Sequence, residues 1–533
     1  MKLNRSLFAA GFLAATALAT PALAETVLRA DFSPVGEIDP AKASDYADSV
    51  LMYNLYDTLV IPNEGKPGYQ PLLADSWSAN DDATVYTFKL RDDVSFQDGT
   101  PMTAEDVVFS MDRMKALGQG LSYLFEVVDS VEAAGDHTVV FTLNEPYAPF
   151  VSSLVRLPVV NKALVLEHIE DGDGENEMGD WGQAWLSGHT AGTGAYSLVS
   201  HNPQSETDLA KNSDYFLGVP DAAPDTVRMR YGLEPATVRT LIAQGEHDIS
   251  SQWMPPEVLK SLANDGAQLL TESGTTEFYI KMNTAEPPFD DEECRKAVSY
   301  AFDYDTGVKM VSITDKVSQG SPSTGALPVG MMGALGEDHV IRQDLDKAKE
   351  HLANCSYADD MNIEISWIGE VPLEERFALL MQANLAQIGV QSTIRKVPWA
   401  LFTEQVSKPE NTPDISQVFV NTVTGDPDTL LYSMYHSSSA GTWMSPEHLN
   451  DPKVDELLDA GRKESDPARR AEIYKELNTY LVSIAPSIFA QDQTAVFAAS
   501  DRVSAPTLSD PSKAYALAGF GFNFRMMEMK DAE

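Results

Sequence analysis

LADSWSANDDATVYTFKLRDDVSFQDGTPMTAEDVVFSMDRM, residues 73–114, carries a strand, a turn and a capped helix in direct succession. From Tyr86 to Leu90, aromatic and aliphatic residues alternate with Thr87 and Lys89, the two-residue period of a half-buried strand. Gln97-Asp98-Gly99-Thr100-Pro101 reads as a turn, because glycine supplies positive φ and proline presets the backbone that follows. Thr103, three residues before Asp106, opens a helix in the manner of a capping box, and Val107, Val108, Met111 and Met114 fall on one face of it. The stretch is a scaffold and holds no reaction centre.

The same residues resemble the signature region of the extracellular solute-binding proteins of family 5, the dipeptide, oligopeptide and nickel cluster that serves ATP-driven importers. Leu73-Ala74-Asp75-Ser76-Trp77, Phe88-Lys89-Leu90-Arg91, Asp98-Gly99-Thr100-Pro101 and Ala104-Glu105-Asp106-Val107 occur in order at that family's spacing. The resemblance extends over nearly all of the chain after residue 24. It implies an α/β, two-lobed periplasmic binding protein fold of mixed sheets flanked by helices, with an extra inserted domain. The expected division is lobe I from 25–70, 190–285 and 501–533, the inserted domain at 71–189, and lobe II at 286–500.

Residues 1–24 begin with Lys2 and Arg5, continue as an apolar run from Leu7 to Leu18, and end in Pro21-Ala22-Leu23-Ala24, the layout of a cleaved secretory signal peptide. The apolar run is shorter than the roughly 18 residues expected of a membrane span. No cysteine follows the expected cut at Glu25, so a lipid anchor is not expected. A periplasmic protein of a Gram-negative cell is expected, and a monomer. At 533 residues the chain exceeds one hydrophobic core. Its 38 Lys and Arg against 80 Asp and Glu give a net charge of −42, which argues against a nucleic-acid partner. That charge serves solubility, or else attraction of a cationic ligand. The two cysteines, Cys294 and Cys355, are able to pair in an oxidising compartment, but spacing alone does not bring them within reach.

Along the chain, Thr26–Ala30 reads as a strand ending at Phe32-Ser33-Pro34, followed by a helix from about Ala47 to Leu59. Further strands are expected at 138–143, 278–284, 363–368 and 390–397, and helices at 345–354, 374–388 and from Pro467 onward. The acidic run 170–182 invites a calcium reading. Counted from Asp171, however, the sixth and twelfth loop positions are Asn176 and Gly182 where an EF-hand needs Gly and Glu, so a solvated loop is expected. Gly192-Thr193-Gly194 lacks the Lys-Ser/Thr of a phosphate loop and the third glycine of a dinucleotide fingerprint.

By the resemblance, the loop after the first strand faces a ligand cleft, which makes Phe32 and Tyr53 candidates, each also able to pack beneath that loop. In peptide-binding members, an Asp just before a Gly-Asp-Pro-Asp-type segment pairs with the peptide's amino group. Here Asn421-Thr422-Val423-Thr424 precede Gly425-Asp426-Pro427-Asp428, and Val423 stands at the matching place. An ammonium buried beside Val would lose its counter-charge at a cost of several kcal/mol. Nickel-binding members carry His after the Asp-Pro, where this chain has Asp428, so no metal is expected; nor is any cofactor. Trp253, Trp367, Trp399, Asn421, Thr422 and Trp443 complete the candidate set, since flat faces beside amides suit sugar rings and apolar peptide side chains alike. Trp77 is expected in the core. The expected ligand is a peptide or peptide-like solute, with an oligosaccharide or an opine as the alternative, and the expected partner is the permease of an ABC importer.

A secreted hydrolase is the competing class. Neither Gly-x-Ser-x-Gly, His-Glu-x-x-His nor a Cys with a plausible His partner occurs, and the 9 His are scattered. No enzyme is expected. A receptor that uses the same cleft without a transporter is not separable by sequence.

Overall fold

The computed structural model describes residues 25–172 and 177–530; the expected signal peptide and part of the acidic 170–182 run lie outside them. No helix among the described residues is long and apolar enough to cross a membrane. The architecture is the expected α/β one, two lobes of mixed sheet with a third, smaller sheet unit.

The first strand, Val27–Phe32, lies parallel to Thr226–Tyr231, and the antiparallel strands Glu206–Lys211 and Tyr196–Asn202 complete a four-stranded sheet. Leu28, Ala30 and Phe32 face its core. The first helix, Tyr46–Leu55, starts on an Asp45 capping box and stops four residues earlier than expected. Its end is fixed because the Leu55 carbonyl accepts from the Gly194 N–H at 3.1 Å, and Val60–Pro62 then pairs as a strand instead. This close approach explains the Gly-Thr-Gly run. A Cβ at Gly192 would stand 2.1 Å from the Leu55 oxygen, and one at Gly194 would stand 2.4 Å from the Asn54 oxygen.

The 73–114 stretch folds as read. Ala74–Ala79 and Val85–Leu90 pair antiparallel, and with Thr138–Leu143 and Val128–Ala133 they make a four-stranded meander covered by the helix Ala104–Leu117. At the turn, Gly99 has φ +86° and the Thr100 N–H donates to Asp98 Oδ1 at 2.9 Å. The Thr103 N–H donates to Asp106 Oδ2 at 2.8 Å, closing the helix start. Gln97 reaches out of the unit, its Nε2 donating to the Tyr196 carbonyl at 2.7 Å, so the motif turn also ties this unit to the first sheet.

A six-stranded sheet forms the other lobe, with parallel strands Asn362–Ile368, Gln391–Val397 and Ile415–Asn421 on one side. Helices cover both of its faces, burying one apolar cluster around Phe278, Phe377 and Met381 and another around Leu431, Tyr474 and Leu481. Cys294 and Cys355 are joined by a disulfide with Cα atoms 4.8 Å apart.

Two long antiparallel strands, Gln268–Met282 and Ser487–Ala499, run through both lobes. Their register shifts between Ser273 and Thr276, where they leave one lobe for the other. Just beyond, Glu277 and Asp492 face each other as cross-strand partners, both buried. Burial pushes Asp492 up to about 7 and Glu277 well above its usual value, the latter also through repulsion from Asp492. A carboxyl raised on folding contributes stability below its unfolded value near 3.8, and loses it as pH rises through about 7. Asp492→Asn keeps an acceptor for the Val329 N–H, which now donates to Asp492 Oδ2 at 2.7 Å. The variant is expected to show a smaller fall in melting temperature between pH 4 and pH 8 than the parent; an unchanged profile by differential scanning calorimetry would assign the dependence to other groups.

Candidate functional site

A cavity of about 370 Å³ lies between the lobes. Its walls come from the 65–69 turn, from Glu272 at the crossing strands, from 329–332 and 424–427 of the second lobe, and from 507–516 of the returning C-terminal segment. Glu272 is held by the Tyr46 hydroxyl at 2.9 Å and the Gly521 N–H at 2.9 Å; burial raises its pKa, and those donors oppose the rise.

The strand that carries the expected ligand segment ends at Asn421, and the next turn is rigidly built. Thr422 is buried, and Gly425 takes φ +77°. Asp426 caps the helix Pro427–Tyr435 by accepting from the Asp428 N–H at 2.9 Å, and it takes both terminal nitrogens of Arg470 at 2.7 Å. Burial opposes the Arg470 charge, but Asp426 outweighs it and holds the guanidinium above its usual range. Asp428 is fully buried and engaged by Arg462 at 3.1 and 3.0 Å. Both carboxylates of the segment are therefore already neutralised, and neither is free to meet an ammonium.

The lobes touch along this seam. The Tyr69 hydroxyl donates to the Thr424 carbonyl at 2.6 Å, Arg156 Nε donates to the Val423 carbonyl, and the Ala148 N–H donates to the Arg462 carbonyl at 2.9 Å. At another contact between lobes, Trp253 meets Phe419 edge-on at 6.4 Å and Arg376 pairs with Glu257 at 2.9 Å.

Against this geometry the sequence candidates divide. Tyr53 sits between Tyr515 and Phe520, accepts from Asn523 Nδ2 at 2.8 Å, and lines two cavities beside the seam. Trp253 is 56% exposed at the inter-lobe contact, and Asn421 is exposed at the strand end, hydrogen-bonded to Thr276. Val423 packs against the apolar cluster of the meander unit. Phe32 corrects the expectation: it is buried, edge-to-face with Phe522 at 4.9 Å, because alternation along its strand turns it into the core. Trp367 is likewise buried, under Lys396. Trp399 and Trp443 contact each other edge-on at 5.4 Å and do not line the 370 Å³ cavity. Trp77, expected in the core, is only half-buried, and packs on Phe88 at the edge of the meander unit's apolar cluster.

Sequence reading missed Tyr69, Arg156, Glu272, Asp426 and Tyr515. Each comes from a different segment, and only folding brings them near one another: Tyr515 belongs to a segment that returns beside Glu64 through an isolated bridge. Two aspartates three and five residues beyond Val423 were visible, but their arginine partners were not.

The model for the bacterial extracellular solute-binding proteins, family 5 (middle region), matches residues 68–442. The chain is 26% identical over 461 residues to the probable D,D-dipeptide-binding periplasmic protein DdpA of Escherichia coli, covering 85% of each. It is 26% identical over 523 residues to the periplasmic oligopeptide-binding protein OppA of the same organism, covering 90% of this chain and 91% of that one. The ABC transporter substrate-binding protein CtaP from Listeria monocytogenes superposes with a TM-score of 0.80 at 21% identity, over 95% of this chain and all of that one.

Proposed function

Because the chain belongs to the bacterial extracellular solute-binding proteins of family 5, we propose that it is the periplasmic receptor of an ABC importer, taking up a peptide or peptide-like solute between its lobes and presenting the closed form to the permease. The observation that carries this reading is the 370 Å³ cavity between lobes that share two continuous strands. Two strands are a narrow connection, and their register shift at 273–276 is where a change of angle meets least resistance. A solute touching both walls favours the closed form, and only such differential contact shifts the equilibrium.

The division into lobe I, inserted domain and lobe II follows the boundaries given above except at the crossing strands, where lobe II takes over from about residue 276 and lobe I resumes at about residue 494. We assign the cleft rim to Tyr53, Trp253, Asn421, Thr422 and Val423. An opine or oligosaccharide is the second reading, favoured by the pairing of Asp426 with Arg470 and of Asp428 with Arg462, which leaves the segment without a free acid for an amine. Binding without chemistry is the expected mode, and the protein acts as a monomer.

The test is small-angle scattering of the purified protein against panels of peptides, opines and oligosaccharides, with the solutes recovered and analysed afterwards. At least one solute is expected to shrink the radius of gyration and to be returned intact. A profile unmoved by every member, or a cleaved solute, would overturn the reading.

A further inference from the structure

The outer face of the first sheet carries a cationic recess that the receptor reading does not use. Alternation turns Leu28 and Ala30 into the core, so Arg29 points the other way, as do Arg228, its register partner, and Arg230, two residues further on. With the chain that follows the helix Pro235–Ala243, these arginines wall a surface recess of about 370 Å³, which shares no residue with the inter-lobe cavity. His247 forms part of that wall. It is buried, and neither of its ring nitrogens has a hydrogen-bond partner among the described residues. Its backbone is fixed, since the His247 N–H donates to the Leu241 carbonyl at 3.1 Å.

A neutral imidazole has one donor and one acceptor, and burying both without partners forfeits the hydrogen bonds that water gave them. Burial pulls the His247 pKa down to about 4, and repulsion from Arg230 and Arg29 adds to the fall, so the ring is uncharged and close to both guanidiniums. The three arginines differ in what they hold. Arg228 is spent on Asp208, to which its Nε donates at 2.8 Å. Arg29 approaches Asp248 only to 3.7 Å, and that carboxylate also accepts from the Arg29 N–H at 2.9 Å and faces Arg502 at 3.3 Å. Arg230 has no carboxylate within ion-pair distance among the described residues; Glu206, its register partner on the next strand, does not close on it.

We propose that Arg29, Arg230 and His247 form a second ligand site, for a small oxyanion of the phosphate type, on the outside of the first lobe. Two guanidiniums offer forked donors to such an anion's oxygens, and the imidazole supplies a further N–H from the wall. The anion comes free in solution and not on a bilayer. A membrane face is wide enough to meet the net charge of −42, whereas a small anion within a Debye length of about 8 Å is governed by the recess itself. Glu206 and Glu246 also line the recess and oppose the anion, which sets the affinity in the millimolar range. This site neither requires nor excludes a solute between the lobes.

The probe is inorganic phosphate, titrated calorimetrically into the purified protein at fixed ionic strength, with acetate as the comparison anion. Phosphate is expected to bind saturably at one equivalent, and acetate at least ten-fold more weakly. Arg230→Gln is expected to weaken phosphate binding at least ten-fold. Glu206→Gln, which removes an opposing acid, is expected to tighten it about three-fold. Arg239→Gln, at a surface arginine that pairs with Asp265, is expected to bind as the parent does. In protein carrying ring-labelled histidine, the resonance that disappears in His247→Gln is expected to move as phosphate is added. No saturable binding by the parent, acetate bound as tightly as phosphate, equal affinity in Arg230→Gln, an equal loss in Arg239→Gln, or a stationary His247 resonance would each overturn the proposal. Should Arg230→Gln melt below the parent without phosphate, Glu206→Gln decides: binding left unchanged or weakened there ends the proposal.

Discussion

Arg113→Met is expected to lower the unfolding free energy by about 3–5 kcal/mol, since it leaves a buried carboxylate without its partner. Arg113–Asp39 and Lys281–Glu447 are the two most enclosed ion pairs among the described residues, each with side chains 1% and 0% exposed. The two contacts of Arg113 with Asp39 measure 2.7 and 2.6 Å, and Arg113 Nε also donates to the Trp181 carbonyl at 2.8 Å. The pair joins the motif helix Ala104–Leu117 to the loop that leads into the helix Tyr46–Leu55, so it fastens the meander unit to the first lobe. Asp39 also accepts from the Ala41 N–H at 3.0 Å, which an asparagine oxygen is able to keep. The double variant Arg113→Met, Asp39→Asn is therefore expected to recover a large part of the loss. Urea unfolding followed by tryptophan fluorescence checks both; a single-variant loss below about 1 kcal/mol would mean that the pair is no better than a surface one.

Asp426→Ala is expected to act on stability and binding together. It removes a helix cap worth about 1 kcal/mol and strands Arg470 inside the lobe at a cost of about 3–5 kcal/mol. The two terms overlap because one carboxylate serves both, so the sum is an upper bound. The same residue lines the inter-lobe cavity and sets the turn that positions Thr422 to Gly425. Solute affinity is expected to fall more than ten-fold even at temperatures where the variant stays folded. Calorimetric binding beside thermal melting separates the effects: stability lost with affinity intact would place the solute away from this turn. Asp426→Asn is the milder control, since its oxygen still accepts from the Asp428 N–H.

Much of the scaffold was legible because its signals are local. Alternation from Tyr86 to Leu90, the Asp98-Gly99 turn and the Thr103–Asp106 start each depend on residues within a few positions, and each folds as read. The strand 138–143 and the helix opened by Asp466-Pro467 follow from the same kind of pattern, the latter with Asp466 accepting from the Ala468 and Arg469 N–H groups. The first helix was read too long because its end is set by Gly194, more than a hundred residues away. That an uncharged valine stands at 423, ahead of Gly425-Asp426-Pro427-Asp428, was also local and readable.

What the chain's order of residues determined by itself, then, was the class of fold, the motif unit and that a valine, with no charge, stands at position 423. Tertiary structure alone decided which aromatic rings are buried. Phe32 and Trp367 turn inward while Trp253 stays at the contact between lobes, and composition does not separate them. It decided, too, that Asp428 is spent on Arg462 and Asp426 on Arg470. The physical reason is range: hydrogen-bonded turns and strand periods are fixed by neighbours in sequence, whereas the state of a charge depends on every group within a few ångströms, whichever segment supplies it.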